Sequence, residues 1–392
     1  MLTIVGGTYY EYCEEPFYYE IYGSGLRAAI ALSNIEKDIK FVSCAGQSEL
    51  ENIDSIVSTH NFKSFIKPTQ ETIQFHYLYP LAKPTVQTDI PIEQIINLDE
   101  VHDENILYYG MIEATVSVHG NYVVYDPQNS ISFKNTNSSA KQLAIILNKS
   151  EALTISGLTD NDDLNTVGKA LLEDENANVV VIKNGSKGAL VFENDKVYEI
   201  PVFKTERVWP IGSGDIFSAV FSWKWVLERN SCFDAAMYAS NLTAQFCETR
   251  HLPLRGFTKN LVALPIVTRK KKIYLAGPFF SMPERWLINR LREALIDFGN
   301  EVFSPMHDVG FDGTPYDIVN KDLGGLQECD VILAVLNRLD TGTIFEIGYA
   351  KALSKRVVIL TENIDDKELL MMVGAGCEIV EDFTTSVYKA SW

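Results

Sequence analysis

The chain has 392 residues, of which 46% are hydrophobic and 22% charged, so it is long enough for two domains and has the composition of a soluble globular protein. Its formal net charge of −18 argues against a nucleic-acid partner, because binding a phosphate backbone requires clustered lysine and arginine. There is no apolar window long enough for a membrane span, no signal peptide, and no CxxC pair among the six cysteines, which predicts a cytoplasmic protein without a zinc knuckle.

Strand-like apolar runs alternate with helix-like segments along the chain, and this alternation predicts parallel α/β sheets. The clearest predicted strands are 178–182, 272–276, 331–336 and 356–360, and the clearest amphipathic segments are 285–298 and 345–353. A basic run at 268–272 separates an apolar piece from a new strand and is typical of a solvated linker. We therefore expect two domains, residues 1–265 and residues 271–392.

Three segments of the predicted N-terminal domain carry short patterns of glycine, acidic and basic residues. Residues 23–29, which include Gly25, are rich in glycine and alanine. Asn148 and Glu151 precede an apolar run, and a predicted strand ends at Lys183 before a turn at Gly185 leads into another strand.

The fourth segment, Gly-Ser-Gly-Asp at 212–215, leads into a predicted helix at 216–227. Its glycines would let several backbone N–H groups point at one spot, and together with the positive end of the helix dipole this indicates an anion-binding site. Asp215 at the mouth of the helix could accept a proton from an attacking hydroxyl, as phosphoryl transfer requires. A glycine-rich turn capped by an aspartate explains the same four residues equally well.

In this order the four segments resemble the ribokinase-like (PfkB) carbohydrate and nucleoside kinase family, over most of residues 1–254. The resemblance implies a ribokinase-like α/β domain that uses ATP and Mg²⁺, with Asp215 as the catalytic base. It assigns an anion hole to Gly212, Ser213 and Gly214, phosphate or ATP contacts to Lys183 and Gly185, organisation of Mg²⁺ and phosphate to Asn148 and Glu151, and sugar binding to Glu11 and the motif around Gly25. This chain departs from the family pattern at Tyr22, at Arg27 and at 209–211, where Trp-Pro-Ile replaces Asp-Thr-Thr.

The C-terminal domain begins with a predicted strand that ends in Gly277-Pro278. Ligands of open α/β sheets bind beyond the carboxyl ends of strands, where a glycine permits close approach to the backbone. A second segment places Asp330 directly before an apolar strand, where, taken alone, an ordinary helix or loop acid is the favoured interpretation.

The third C-terminal segment spans 339–350 and contains two acids. Asp340 suits a helix N-cap and Gly342 a tight turn, so Glu346 is expected in or just after the first helical turn. A carboxylate there could simply complement the helix dipole. However, its neighbours Phe345 and Ile347 indicate a packed environment, where carboxylates usually have a function.

These segments, in the same order, resemble the nucleoside 2-deoxyribosyltransferase family over nearly all of residues 272–381. The resemblance implies a flavodoxin-like parallel sheet, a retaining double displacement without a cofactor, and a homo-oligomer with sites shared between subunits. It assigns the nucleophile to Glu346, protonation of the base to Asp330, sugar binding to Asp340, a hydrogen bond to the nucleophile to Tyr274, and further substrate contacts to Gly277 and Gly342. The late segment 368–373 has methionines but lacks the asparagine that family members carry.

The chemistry fits these residue types, because cleavage of an N-glycosidic bond builds positive charge on the sugar that a carboxylate can stabilise and then trap. The two resemblances together predict a bifunctional enzyme of nucleoside salvage that acts on a nucleoside, nucleobase or sugar. Capture of the glycosyl intermediate by a base or by water stays open, as does the order of the two steps. A nucleotide-binding regulator in the N-terminal half is the alternative. Because Asp340 would repel a 5′-phosphate, we expect a preference for unphosphorylated nucleosides.

Overall fold

The computed structural model describes residues 1–87, 95–256, 261–266 and 269–392. The chain divides into two compact units, Met1–Ile266 and Val267–Trp392. Residues 267 and 268, which belong to the predicted linker, lie outside the described residues.

The N-terminal unit contains fifteen strands and six α-helices within its described residues. The strands are β1 (Leu2–Val5), β2 (Tyr10–Cys13), β3 (Tyr18–Ile21), β4 (Ile39–Gly46), β5 (Lys63–Thr69), β6 (Gln74–Tyr77), β7 (Thr85–Val86), β8 (Ile96–Asn97), β9 (Val101–Tyr109), β10 (Ala114–Thr115), β11 (Val118–Asp126), β12 (Ser139–Asn148), β13 (Val179–Lys183), β14 (Ala189–Glu193) and β15 (Lys196–Ile200). The helices are α1 (Gly23–Leu32), α2 (Leu50–His60), α3 (Lys149–Ser156), α4 (Leu164–Asp174), α5 (Ser213–Ser222) and α6 (Cys232–Thr249).

Nine of these strands form one sheet in the order β15-β14-β13-β12-β11-β9-β1-β4-β5. The run from β13 to β5 is parallel, β14 is antiparallel to β13, and the edge strand β15 is antiparallel to β14. The central strands are apolar on both faces, as strands covered by helices on both sides must be. Helices α1, α5 and α6 cover one face and α3 and α4 the other. A four-stranded sheet, β3-β2-β6-β7, and a two-stranded sheet, β10-β8, stand apart from the main sheet.

The C-terminal unit has an all-parallel sheet of five strands in the order β17-β16-β18-β19-β20. Its elements are β16 (Lys272–Ala276), α7 (Met282–Asp297), β17 (Glu301–Phe303), α8 (Pro315–Glu328), β18 (Val331–Val335), α9 (Thr341–Ala352), β19 (Arg356–Leu360), α10 (Leu370–Gly374), β20 (Glu378–Val380) and α11 (Phe383–Ser391). Counted within the unit, the strand order is 2-1-3-4-5, which is the flavodoxin-like order. The order reverses between β16 and β18, and ligands of such sheets bind beyond the carboxyl ends of the strands at this point.

The predicted two-domain α/β architecture is confirmed by these sheets. The strands predicted at 272–276 and 356–360 have the observed bounds, and those at 178–182 and 331–336 differ by one residue. The helix predicted at 216–227 begins three residues earlier and changes at Trp223 into a π-helical turn. Within the described residues, no helix combines the length and the apolar composition that crossing a membrane requires.

Candidate active sites

In the C-terminal unit, Tyr274 and Glu346 meet at the reversal of strand order. Tyr274 lies on β16 and is fully buried, and its hydroxyl donates a hydrogen bond of 2.5 Å to Oε1 of Glu346. Glu346 is half-buried on α9, the helix that follows β18. The pKa of Glu346 is raised to about 7, and burial is the main cause. The charges of Asp322 and Asp340 contribute to this rise, and the hydrogen bond from Tyr274 opposes it. Glu346 is thus a carboxyl group that changes its ionisation state near neutral pH.

Asp322 on α8 is a second acid near Glu346, and it was not predicted as a site residue from the sequence. Its Oδ1 atom is buried and has no hydrogen-bond partner among the described residues. Burial raises the pKa of Asp322 to about 6. A carboxyl group whose pKa is raised towards neutrality, beside a second ionisable carboxyl group, is a candidate for proton transfer. The available signal was helical spacing, because buried Leu326 lies four residues later and therefore on the same face of α8.

Asp340 and the two glycines of this site shape the backbone around Glu346. Oδ2 of Asp340 accepts hydrogen bonds of 2.8 Å from both the amide and the hydroxyl of Thr343, so the expected N-cap is confirmed. Gly342 lies inside the first turn of α9 and not in a separate tight turn. At Gly277, an added Cβ atom would lie 2.8 Å from Cδ1 of Ile288, so the side chain of Ile288 on α7 packs closely against the end of β16.

Asp330, by contrast, lies at the other end of β18. It precedes the strand, whereas α9 follows it, and a strand of five residues spans about 16 Å. Its carboxylate accepts two hydrogen bonds of 2.9 Å from Arg269 and one of 3.0 Å from the amide of Lys272. The hydrogen bond from Arg269 holds the pKa of Asp330 below its usual range. The structure thus corrects the expected position of Asp330, which does not lie with Glu346.

In the N-terminal unit, a buried arginine lies between two predicted site acids. Glu11 was expected to bind the sugar, and Asp215 was expected to accept its proton. Arg27 on α1 forms a salt bridge with Glu11 on β2, and its Nε lies 3.7 Å from Oδ2 of Asp215 on α5. The other oxygen of Asp215 accepts a hydrogen bond of 2.6 Å from Gln128. Burial raises the pKa of Asp215 to about 7, and the charge of Arg27 opposes this shift. Both oxygens of Asp215 therefore face side chains of the protein itself.

The predicted anion hole lies at the N-terminus of α5. Gly212 is its N-cap with a φ of +77°, and an added Cβ atom would come within 2.1 Å of Nε of Arg27, so both backbone and packing require glycine. The amide of Ser213 donates to the carbonyl of Pro210 at 2.9 Å and is therefore engaged. The next first-turn amide belongs to Gly214, whose added Cβ atom would lie 3.2 Å from Nζ of Lys183. A helix N-terminus beside an ammonium group can hold an anion such as a phosphate.

Lys183 also belongs to a cluster at the carboxyl ends of the central strands. Its ammonium donates to Asp126 at 3.0 Å, and the hydroxyl of Ser218 donates to the same carboxylate oxygen at 2.6 Å. Burial, followed by the negative charge of Asp126, raises the pKa of Glu151 to about 7. Asp126 was not predicted as a site residue. Its position at the end of an apolar strand is the pattern from which it could have been predicted.

The remaining predicted residues of this unit have identifiable structural surroundings. Asn148 and Glu151 form a capping box at the start of α3, with hydrogen bonds of 2.9 Å and 2.7 Å between side chains and amides. At Gly25, an added Cβ atom would lie 2.7 Å from the carbonyl group of Gly6, so this glycine lets α1 approach the end of β1. Gly185 begins the turn after β13 with a φ of +54°.

Each unit thus combines an α/β sheet with its own cluster of charged residues. Comparison with known families agrees with this division. Residues 110–252 match the family model described as pfkB family carbohydrate kinase, and residues 273–385 match the model described as nucleoside 2-deoxyribosyltransferase. Both resemblances noted in the sequence are therefore confirmed, and both families are enzyme families.

Solved structures similar to this chain are ribokinase-family kinases. Ribokinase from Giardia lamblia has a TM-score of 0.50 at 14% identity, over 65% of this chain and 96% of that chain. Ribokinase from Thermotoga maritima (TM-score 0.48, 15% identity, 65% of this chain and 96% of that one) and the nucleoside kinase from Methanocaldococcus jannaschii (0.46, 16%, 66% and 94%) are also similar. The N-terminal unit has a ribokinase-like fold. No curated protein sequence matches the chain.

Proposed function

We propose that the C-terminal unit cleaves the N-glycosidic bond of a nucleoside by covalent catalysis at Glu346. The observation that carries this proposal is the 2.5 Å hydrogen bond from Tyr274 to Glu346 at the reversal of strand order. A tyrosine hydroxyl in this position stabilises the ionised nucleophile and fixes the direction of its free oxygen.

In the proposed first step, a carboxylate oxygen of Glu346 bonds to the anomeric carbon as the bond to the base nitrogen breaks. The departing base takes up a proton, and we assign Asp322 as its source because its carboxyl group is partly buried and its charge acts on Glu346. In the second step, water or another base attacks the same carbon and releases Glu346, and the proton of the attacking group passes to the Asp322 carboxylate, so the configuration of the sugar is retained. The two carboxyl groups have different surroundings, as two different roles require.

The direct test mixes the purified protein with a panel of nucleosides, with and without a free base. Glu346→Ala should abolish base release, and Glu293→Ala, a change at an exposed glutamate of α7, should leave it intact. Acid quenching during turnover followed by mass spectrometry should find a glycosyl group on the peptide that contains Glu346. Unchanged base release by Glu346→Ala would refute the proposal. In the same assay, formation of a new nucleoside from the added base indicates a transferase, and release of the free sugar indicates a hydrolase.

The charge of Asp340 supports a narrower expectation about the substrate. Its carboxylate lies close enough to raise the pKa of Glu346, so the sugar-facing side of the site carries negative charge. A 5′-phosphate would meet this charge, and we propose that nucleosides are cleaved faster than their 5′-monophosphates. Steady-state kcat/KM values for one nucleoside and its monophosphate test this order, and faster cleavage of the monophosphate contradicts it.

For the N-terminal unit we propose phosphoryl transfer from ATP to a hydroxyl of a sugar or nucleoside. In this scheme Asp215 accepts the proton of the hydroxyl, while Lys183 and the first-turn amides of α5 hold the phosphates. Burial, followed by the negative charge of Asp126, raises the pKa of Glu151. Asp126 and Glu151 are the residues that fit a Mg²⁺ ion, because they supply carboxylate oxygens. Such an ion, when bound, neutralises charge on the transferred phosphate.

Arg27 favours a second candidate for this unit, a nucleotide-binding regulator of the glycosidase. Its guanidinium lies between Glu11 and Asp215, where an acceptor hydroxyl would have to approach. Incubation with Mg-ATP and the nucleoside panel separates the two candidates. ATP consumption that Asp215→Asn abolishes supports the kinase. A glycosidase rate that responds to ATP without ATP turnover supports the regulator.

We also propose that the C-terminal unit assembles with further copies of the chain. Several large apolar side chains of this unit are exposed, namely Phe280, Met282, Trp286, Phe311, Tyr316, Phe345, Leu370 and Met371. An exposed group of this size usually marks an interface. Light scattering after size-exclusion chromatography tests this proposal, and a monomer at micromolar concentration contradicts it.

A further inference from the structure

A separate group of metal-ligand side chains lies at the opposite end of the nine-stranded sheet. Glu100 immediately precedes β9, His102 is the second residue of β9, and His119 is the second residue of β11. One potential ligand atom of each residue lies within 4.8 Å of the other two. Asp126 ends β11 seven residues after His119, a distance of about 23 Å along a strand, so this group is remote from the candidate phosphate site.

The sheet itself holds the two imidazoles side by side. His102 and His119 are directly paired residues of neighbouring parallel strands, and their ring centroids are 4.8 Å apart. Glu100 lies two residues before His102, and its Oε2 is 3.2 Å from Nε2 of that histidine. Because alternate residues of an extended chain point to the same face, all three side chains project from one side of the sheet.

A third strand supplies a partner for the outer nitrogen of one ring. Ser139 on β12 is the residue paired with His119, and its hydroxyl oxygen lies 2.8 Å from Nδ1 of that histidine. This contact leaves Nε2 of His119 to face a ligand. Histidines that bind metals usually donate their second N–H group to such a partner, which fixes the tautomer and the ring orientation.

We propose that Glu100, His102 and His119 form a binding site for a divalent transition-metal ion such as Zn²⁺. Two imidazole nitrogens and one carboxylate oxygen are ligands that such ions prefer, and water completes a tetrahedron. Bond lengths of about 2.0–2.1 Å place tetrahedral ligand atoms about 3.4 Å apart, so each side chain needs to move by about 1 Å. Glu100 and His102 are exposed and His119 is half-buried, so rotamer changes allow this movement. Mg²⁺ prefers oxygen ligands and does not compete for this site.

Isothermal titration of the metal-stripped full-length protein with Zn²⁺, in a buffer with excess Mg²⁺, tests the proposal. The wild type should bind one equivalent that the double variant His102→Ala/His119→Ala does not bind. Ser139→Ala should weaken binding by about tenfold, as the loss of an outer partner does. The matched control is His76→Ala. His76 also contacts a glutamate, Glu14, at 2.8 Å, but this pair contains one imidazole where the proposed site contains two. Its affinity should equal that of the wild type.

Two further readouts separate this site from adventitious binding at the cysteines. Co²⁺ in place of Zn²⁺ should give the intense visible absorption of a tetrahedral site in the wild type and in His76→Ala only. Zn²⁺ should also raise the Tm of the wild type, since a ligand that binds only the folded state stabilises it. Equal Zn²⁺ affinity of the wild type and the double variant, or an equal loss in His76→Ala, would overturn the proposal.

Discussion

Replacing Tyr274 with phenylalanine removes one hydroxyl group next to Glu346 and keeps the ring that stacks on Phe303. The hydroxyl donates to the carboxylate and thereby lowers the pKa of Glu346, in opposition to the effect of burial. We therefore expect Tyr274→Phe to raise the pKa of Glu346 above its wild-type value of about 7. A smaller fraction of the protein would then carry an ionised nucleophile at neutral pH.

The size of this shift follows from the geometry of the bond. Hydrogen bonds to charged groups contribute about 1.5–3 kcal/mol, and the lower end applies because Glu346 is half-buried and partly screened by solvent. One pKa unit corresponds to about 1.4 kcal/mol, so the pKa should rise by about one unit. At pH 7 the ionised fraction then falls from about one half to about one tenth, a loss of roughly fivefold in rate that disappears at alkaline pH.

The assay is the pH dependence of kcat/KM for base release, which reports the pKa values of the free enzyme. The acidic limb of the Tyr274→Phe profile should move to higher pH by about one unit, and the profiles of variant and wild type should coincide at alkaline pH. Tyr316→Phe, at an exposed tyrosine of α8, is the control and should leave the profile unchanged. A Tyr274→Phe profile that overlies the wild type, or moves to lower pH, refutes this account of Glu346.

Three other substitutions probe the remaining parts of the two sites. Asp322→Asn removes a like charge, so the acidic limb of the kcat/KM profile should move to lower pH. The maximum of the profile should fall at least tenfold, or by about 1.4 kcal/mol, through loss of the acid, and an unchanged maximum contradicts this role. Asp330→Asn should keep the rate of base release within about twofold of wild type. It should lower the free energy of unfolding in urea by less than about 1 kcal/mol, because the ion pair that it breaks lies at the surface. A large loss of rate would show that Asp330 takes part in the reaction. Arg27→Met leaves two buried carboxylates without their cation and should destabilise the fold by about 3–5 kcal/mol. The loss should grow as the pH rises through the pKa of Asp215, which burial raises to about 7, and equal losses at acidic and alkaline pH speak against this pairing.

The fold was largely predictable, because buried parallel strands leave a strong pattern in the chain. Continuous apolar runs at β16 and β19 have only one interpretation between amphipathic helices, and their bounds were predicted to the residue. The bounds of α7 and α9 were less accurate, since capping side chains set where a helix begins.

The site was predictable where local pattern and position on the sheet agree. Glu346 and Tyr274 are 72 residues apart, and the structure joins them as the resemblance implied. Asp330 was misplaced because a position next to a strand does not reveal which end of the sheet faces the ligand. Asp322 and Arg27 were not assigned their contacts, since a charged residue on a helix reveals its partners only after helices and strands have packed.

The ion pair between Arg269 and Asp330 bears on how the two halves can be studied apart. Arg269 lies three residues before β16, yet its guanidinium binds the residue that precedes β18. The ion pair therefore connects the segment before β16 to the start of the adjacent strand β18. A fragment that starts at the predicted boundary, residue 271, would lack this ion pair, whereas one that starts at Arg269 would retain it. Excision of the C-terminal unit for separate expression should begin there.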